Sequence, residues 1–254
     1  MAIMVKNEQQ IELMRISNRI VAGTHALLEK SIRPGITTKE LDSLACDYIK
    51  GHGAEPSFLG YKGASNVPYP ASICVSINEE VIHGIPSLKK LKEGDIVSID
   101  IGAFKNGYHG DAARTHAVGA APPNKLKLIE VTRQCFFNAM QYARAGRHLN
   151  EIGAAVQATA EAGGFSVVQD FCGHGIGREM HEDPQIMNYR QKIRGPRLCK
   201  GMTLAIEPMV NEGGYGIDVL PDGWTVVTKD RKCSAHYENT ILITDGDPEI
   251  LTLY

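Results

Sequence analysis

VSIDIGAFKNGYHGDAARTHAVG, residues 97–119, is the stretch on which the fold turns. Two apolar runs flank Asn106-Gly107, the strongest short hairpin signal in a sequence. Each run also carries an aspartate, Asp100 in the first and Asp111 in the second. Aspartate is depleted in strands, and a buried carboxylate without a partner is costly. If Asn106 and Gly107 form a type I′ turn, Asp111 faces Gly102 and Asp100 faces Ala113. Strand side chains alternate with a period of two, so Asp100 and Gly102 share a face. The two aspartates are then diagonal neighbours on one side of the hairpin. Such neighbours lie about 7–8 Å apart at the backbone, close enough for their carboxylates to converge. Gly102 is expected to leave space between them. Two anions aimed at one point repel unless a cation sits there. The plain alternative is a pair of solvated aspartates on the polar face of an edge hairpin.

The rest of the chain shifts that balance. GHGIG (173–177) sets His174 among glycines, AIEP (205–208) puts Glu207 at the end of an apolar run, and YENTILIT (237–244) puts Glu238 at the head of another. Each has a bland reading: a loop histidine, a strand-end glutamate, a surface glutamate. Together with the aspartates they offer carboxylate oxygens and one imidazole, a donor set suited to a pair of divalent first-row metals. Bridging carboxylates hold two such ions about 3.5–4 Å apart. Other chemistries fit worse. His181-Glu182 is followed by Asp183-Pro184-Gln185 rather than completing H-E-x-x-H, and there is no Walker A lysine, G-x-G-x-x-G or G-x-S-x-G.

Outward from the hairpin, the order of elements repeats. An amphipathic helix is expected over 8–31, with Asn7 and Gln10 as its capping box, and a second follows after Pro34-Gly35, capped by Thr37 and Glu40. ASICVSI (71–77) reads as a strand before the hairpin. A helix over about 124–144 then stops at Gly146, and another follows with Asn150 as its cap and Gly163-Gly164 as its stop. An offset of 111 residues places Gly35 on Gly146, Glu40 on Glu151 and Gly53 on Gly164. This predicts one domain over 1–254 built of two related α+β halves, about 1–120 and 121–254. FSVVQDF (165–171) and TLAIEPMV (203–210) read as strands, and WTVVTKD (224–230) with SAHYENTILIT (234–244) as a last hairpin.

Composition sets outer bounds. The chain has 254 residues, is 43% hydrophobic and 22% charged, and carries a net charge of -2, giving no reason to expect a nucleic-acid or membrane partner. Its six cysteines form no C-x-x-C pair, and their scatter suits a reducing cytoplasm. MAIMVKNEQQIELMR turns polar too early for a secretory segment, and no apolar run approaches membrane-spanning length.

VIHGIP (81–86), SIDIGA (98–103), GYHGDAART (107–115), GHGIGREMHEDP (173–184), AIEPM (205–209) and AHYENTILIT (235–244) together resemble the methionine aminopeptidases, in order and spacing across nearly the whole chain. The resemblance implies the pita-bread fold, a curved antiparallel sheet covered by helices and made of two pseudo-symmetric halves. It implies two divalent cations, of Co²⁺, Mn²⁺, Fe²⁺ or Zn²⁺ type, held by Asp100, Asp111, His174, Glu207 and Glu238. It further implies catalytic roles for His83, His181 and Glu207, and a methionine slot walled by Cys74, Tyr69, Met180 and Trp224, with Tyr61 a further candidate and His83 and His181 contacting substrate. On their own, His83 reads as a turn histidine, His181 as a helix-start residue, and Met180 as core packing.

A first helix starting almost at Met1, the short path from His181 to Glu238, and the lack of a zinc-finger extension resemble the bacterial-style type I enzymes rather than type II enzymes or proline dipeptidases. GASNVPYP (63–70) is a departure, longer than in some relatives. The implied partners are nascent polypeptide N-termini and peptides, with the ribosome a further candidate, for a cytoplasmic monomer. The implied reaction is removal of N-terminal methionine with a preference for a small second residue. An Xaa-Pro peptidase and a non-catalytic binding module of the same fold are the alternatives.

Overall fold

A computed structural model describes residues 3–63 and 67–253. Its helices are α1 (Glu8–Ser31), α2 (Thr38–Gly51), α3 (Pro123–Met140) and α4 (Asn150–Ala162). Both expected capping boxes form. The Asn7 and Thr37 side chains accept from the Gln10 and Glu40 backbone N–H groups, and those two side chains reach back. Such caps stabilise a helix end by about 1 kcal/mol. In the second half the ends differ from expectation. α3 stops at Met140 and reaches Gly146 through turns, and Asn150 lies inside α4. There Glu151 takes the capping load, accepting the His148 N–H at 2.8 Å. The glycines superposed by the 111-residue offset share left-handed backbone: φ is +92° and +86° at Gly35 and Gly146, and +65° and +85° at Gly53 and Gly164.

The first sheet joins β1 (Glu55–Pro56), β4 (Ile96–Lys105), β2 (Ile73–Ile77) and β5 (Tyr108–Ala117). The register of β4 on β5 is the predicted one, with Gly102 opposite Asp111 and Asp100 opposite Ala113. Asn106 and Gly107 both have positive φ, as a type I′ turn requires. A second sheet holds β13 (Ser234–His236), β10 (Met209–Asn211) and β6 (Ser166–Val167); a third holds β11 (Ile217–Val219), β12 (Val226–Thr228) and β3 (Glu80–Ile82). The last contains β15 (Glu249–Ile250), β14 (Asn239–Leu242), β9 (Thr203–Ile206), β7 (Cys172–Gly175) and β8 (Glu182–Met187).

The expected hairpin of 224–230 with 234–244 does not form. β12 is flanked by β11 and by β3 from the first half, whereas β13 and β14 pair with β10 and β9. Of FSVVQDF, only Ser166–Val167 is strand.

The halves meet along β5. Glu238 N donates to Ala113 O at 2.9 Å, and Ala113 N donates back to Glu238 O at 3.3 Å. Threonine hydroxyls extend this seam. Thr240 Oγ1 accepts from Asp111 N (3.1 Å) and donates to Asp111 O (2.9 Å), while Thr115 Oγ1 accepts from His236 N (2.9 Å) and donates to His236 O (2.8 Å). The result is antiparallel pairing that runs from β2 to β8 through both halves.

One face of this curved layer is apolar and lies under the helices. Ile73, Val75, Ile77, Val97, Ile99, Ile101 and Ala112 pack in one buried cluster with α1 and α2 residues. Leu204, Ile206, Val210, Ala235, Tyr237 and Ile241 pack in another with α3 and α4 residues. Alternate residues therefore point to the opposite face. No helix among the described residues is long and apolar enough to cross a membrane.

Candidate metal centre and pocket

Strand pairing places Cys74 and the five predicted metal ligands. Cys74 lies opposite Asp100, and Asp100 opposite Ala113, which bonds to Glu238. Pairs Ile206↔Asn239 and Met209↔His236 share one register, so Glu207 falls opposite Glu238 in the interval between them. A neighbouring row runs Gly102, Asp111, Thr240, Ala205 and His174. The rows are two residues apart, so all these side chains share the face opposite that apolar layer. Asp100, Asp111, His174, Glu207 and Glu238 duly line one cavity of about 680 Å³.

The glycines around His174 permit this approach. A Cβ at Gly173 would lie 2.3 Å from Ala205 O, and one at Gly175 2.2 Å from Asp183 O. Gly102 has a different use from the one expected. A Cβ there would meet Ser57 and Phe58, so the missing side chain admits the chain near β1, and Phe58 joins the cavity wall.

Asp111, His174 and Glu238 are only 3%, 6% and 2% exposed, and each offers a ligating atom within 4.8 Å of the others. His174 Nδ1–H donates to Gly175 O at 2.9 Å, which leaves the Nε2 lone pair facing Asp111 Oδ2 at 3.7 Å and Glu207 Oε1 at 3.6 Å. Asp100 Oδ1, Asp111 Oδ1 and Glu238 Oε1 are buried with no hydrogen-bond partner. Burial lifts Asp100 to about 7, partly offset by hydrogen bonding to Asp111 and the Ile101 N–H. Burial, then mutual repulsion, pushes Asp111, Glu207 and Glu238 well above the carboxylate range. His174 is pushed down to about 3, by burial first and then His181. Four crowded acids, three of them with an orphaned oxygen, beside a neutral imidazole lone pair are the donors a divalent cation takes.

The remaining walls are aromatic and sulfur-bearing. Tyr69 and Trp224 meet edge to face at 5.2 Å, and His83 stands edge-on to Phe171 and Trp224 at 5.7 and 6.1 Å. Tyr69 is anchored through its hydroxyl, which donates to Gly84 O at 2.8 Å, and Trp224 Nε1 donates to Val67 O at 3.0 Å. His83 follows β3 with φ +59°, a left-handed conformation costing a non-glycine residue on the order of 1 kcal/mol. Burial and then His181 push it down to about 4, so it is neutral. His181 stands at the mouth, its Nδ1 2.6 Å from the Tyr61 hydroxyl and its ring 4.3 Å from that of His174. Glu182 fixes this loop by accepting the Arg178 N–H and pairing with buried Lys6 at 2.5 Å. Cys74 lines the cavity as a neutral thiol, held well above its usual pKa by burial and then Asp100.

Met180 departs from expectation. It is buried in the apolar cluster that also holds Cys74, Tyr69 and Trp224, but it is not among the residues that line the cavity. Of GASNVPYP, residues 64–66 lie outside the described residues.

The sequence matches metallopeptidase family M24 over residues 12–245. The chain belongs to that family. It is similar to the methionine aminopeptidase of Clostridium perfringens, 53% identical over 99% of both chains, and to that of Escherichia coli, 46% identical over 100% of this chain and 95% of that one. The crystal structure of methionine aminopeptidase from Thermotoga maritima superposes with a TM-score of 0.95 at 44% identity, covering 100% of both chains. This M24 peptidase thus has the pita-bread fold implied by the sequence strings. One residue beside its acid cluster was missed from sequence: His236, two positions before Glu238, whose Nε2 lies 3.8 Å from Glu207 Oε2. The alternation His236-Tyr237-Glu238 was its signal, since in a strand it puts both outer residues on one face.

Proposed function

We propose that this peptidase removes N-terminal methionine from proteins and peptides by hydrolysing the first peptide bond, preferring a small second residue. The observation that carries the reading is the convergence of four carboxylates and one imidazole in a cavity that Cys74, Tyr69 and Trp224 also line. Relatives of that name at 46–53% identity over nearly the full chain support it. Asp100, Asp111, His174, Glu207 and Glu238 would hold two divalent ions, of Mn²⁺, Fe²⁺, Co²⁺ or Zn²⁺ type. When bound, such ions supply an acidified water and polarise a carbonyl.

Glu207 takes a proton from the attacking water and passes it to the leaving amine, as general base and then acid. With the Tyr61 hydroxyl donating to His181 Nδ1, the Nε2–H of His181 is free to donate to the substrate carbonyl as charge develops. Neutral His83, fixed between Phe171 and Trp224, orients the substrate at the scissile bond. Cys74 and the aromatic rings contact the methionine thioether through dispersion and polarisability. The proposed substrate is the N-terminus of nascent chains, and the proposed compartment is the cytoplasm; six free cysteines support a reducing setting.

The test is a peptide panel with the full chain loaded in turn with each metal. Met-Ala-Ser is expected to be cleaved, with Met-Lys-Ser slower and Ala-Pro peptides left intact. Preferential cleavage of Ala-Pro peptides would overturn the reading in favour of an Xaa-Pro peptidase. For the pocket, Cys74→Ala is expected to raise KM for Met-Ala-Ser about three- to tenfold, the loss of roughly 1 kcal/mol of contact, with metal content unchanged. An unaltered KM would remove Cys74 from the methionine wall.

A further inference from the structure

His236 is 2% exposed, and its Nε2 is buried without a hydrogen-bond partner. Its backbone is fixed on both sides. β13 pairs it with Met209, and Thr115 exchanges hydrogen bonds with its N–H and carbonyl. That pairing makes His236 the diagonal neighbour of Glu207, and Glu207 Oε2 faces its Nε2 at 3.8 Å. The other oxygen, Oε1, faces His174 Nε2 at 3.6 Å. Glu207 is therefore the one acid of the cluster with an imidazole nitrogen at each oxygen. The two imidazoles differ in what they offer. His174 Nδ1–H is spent on Gly175, so its Nε2 presents a lone pair. His236 Nε2 has no hydrogen-bond partner among the described residues and faces this carboxylate, and a donor aimed at a carboxylate is the arrangement that leaves neither group orphaned.

We infer that His236 is a positioning residue: its Nε2–H donates to Glu207 Oε2 once that carboxylate turns to its ligating orientation, holding Oε1 toward the metal centre. The contact closes by a small rotation of the Glu207 side chain, because the strand backbones on both sides are already paired. This inference rests on the metallopeptidase reading of the site. Partners of this kind orient the ligands of metal centres, and their loss typically lowers metal affinity or activity about 10- to 100-fold.

The experiment compares His236→Gln, which keeps an N–H donor, with His236→Leu, which fills the space without one. Each full-length protein is stripped with chelator and titrated with Mn²⁺ by calorimetry, and kcat and KM are measured on Met-Ala-Ser. The Leu variant is expected to bind the tighter Mn²⁺ about 10- to 100-fold more weakly and to lose kcat with KM within about twofold of the parent. The Gln variant is expected to recover most of both. Should the Leu variant not fold, His236→Met replaces it. Equal losses in the Gln and apolar variants would assign His236 to packing, and parent-like Mn²⁺ affinity in the apolar variant would sever it from Glu207; either result overturns the inference alone. A parent protein that binds no Mn²⁺ would instead overturn the metal-centre reading and this inference with it.

Discussion

Replacing Glu207 by Gln is expected to leave a folded protein whose kcat on Met-Ala-Ser falls by about 10³-fold or more. Proposed general-base work alone accounts for about 10²–10⁴ in rate. The amide also lacks the charge and the second ligating oxygen, so bound metal should fall together with turnover. Folding is not at risk in the same way. Glu207 sits among like charges, and burial with Glu238 and Asp100 pushes its carboxyl well up. A neutral isostere relieves that repulsion and fills the same volume. KM should move little, because the methionine walls, Cys74, Tyr69 and Trp224, are untouched. Steady-state kinetics and elemental analysis of the purified variant check both halves of the expectation. A Gln variant keeping more than about a tenth of parental kcat would remove Glu207 from the proton-transfer step, whatever its metal content.

The site was legible where local rules fix geometry. Asn106-Gly107 sets the β4–β5 register, and period two then puts Asp100 and Asp111 on one face with no further information. The same alternation in AHYENTILIT separates Tyr237 and Ile241 toward the helices from His236, Glu238 and Thr240 toward the site. What local rules cannot supply is the identity of a strand's partner. WTVVTKD reads as one arm of a hairpin, yet both flanks of β12 are taken by strands that its own pattern does not name. The hairpin pattern reads Gly102 as space between the aspartates, since the approach of Ser57 and Phe58, 45 and 44 positions earlier, is invisible within the hairpin. Met180 illustrates the same limit. Its neighbour His181 points into the cavity, but the irregular loop between β7 and β8 has no period to say which residue faces in. Lys6 pairing with Glu182, far along the chain, is what shapes that loop.

The second large effect is on stability without metal, and its sign depends on pH. Buried histidines and crowded acids pull in opposite directions. His83 and His174 have folded-state pKa values lowered to about 4 and about 3, so the unfolded chain binds more protons than the folded one as pH drops through the ordinary histidine value of about 6.5. Their contribution is present above that value and is lost below it. The carboxylates run the other way. Asp100 is raised to about 7, and Asp111, Glu207 and Glu238 are raised well above the carboxylate range, so the folded state holds protons that the unfolded state has released. Above about pH 7.5 the histidines are nearly neutral in both states and impose little slope, so the acids dominate. Chelator-treated protein should therefore lose stability from pH 7.5 to 8.5, by about 1 kcal/mol for each acid that keeps its proton only in the folded state. At about 2–4 °C per kcal/mol for a chain of this length, Tm should fall on the order of 5–10 °C. Saturating Mn²⁺ should abolish the fall, because ligation favours the ionised carboxylates and stabilises only the folded state. Asp100→Asn sharpens the test: without metal at pH 8 it should melt higher than the parent, although it should be inactive. A flat metal-free profile over this range, or an Asn variant melting below the parent at pH 8, would mean that the four acids do not repel one another across the seam between β5 and Glu238.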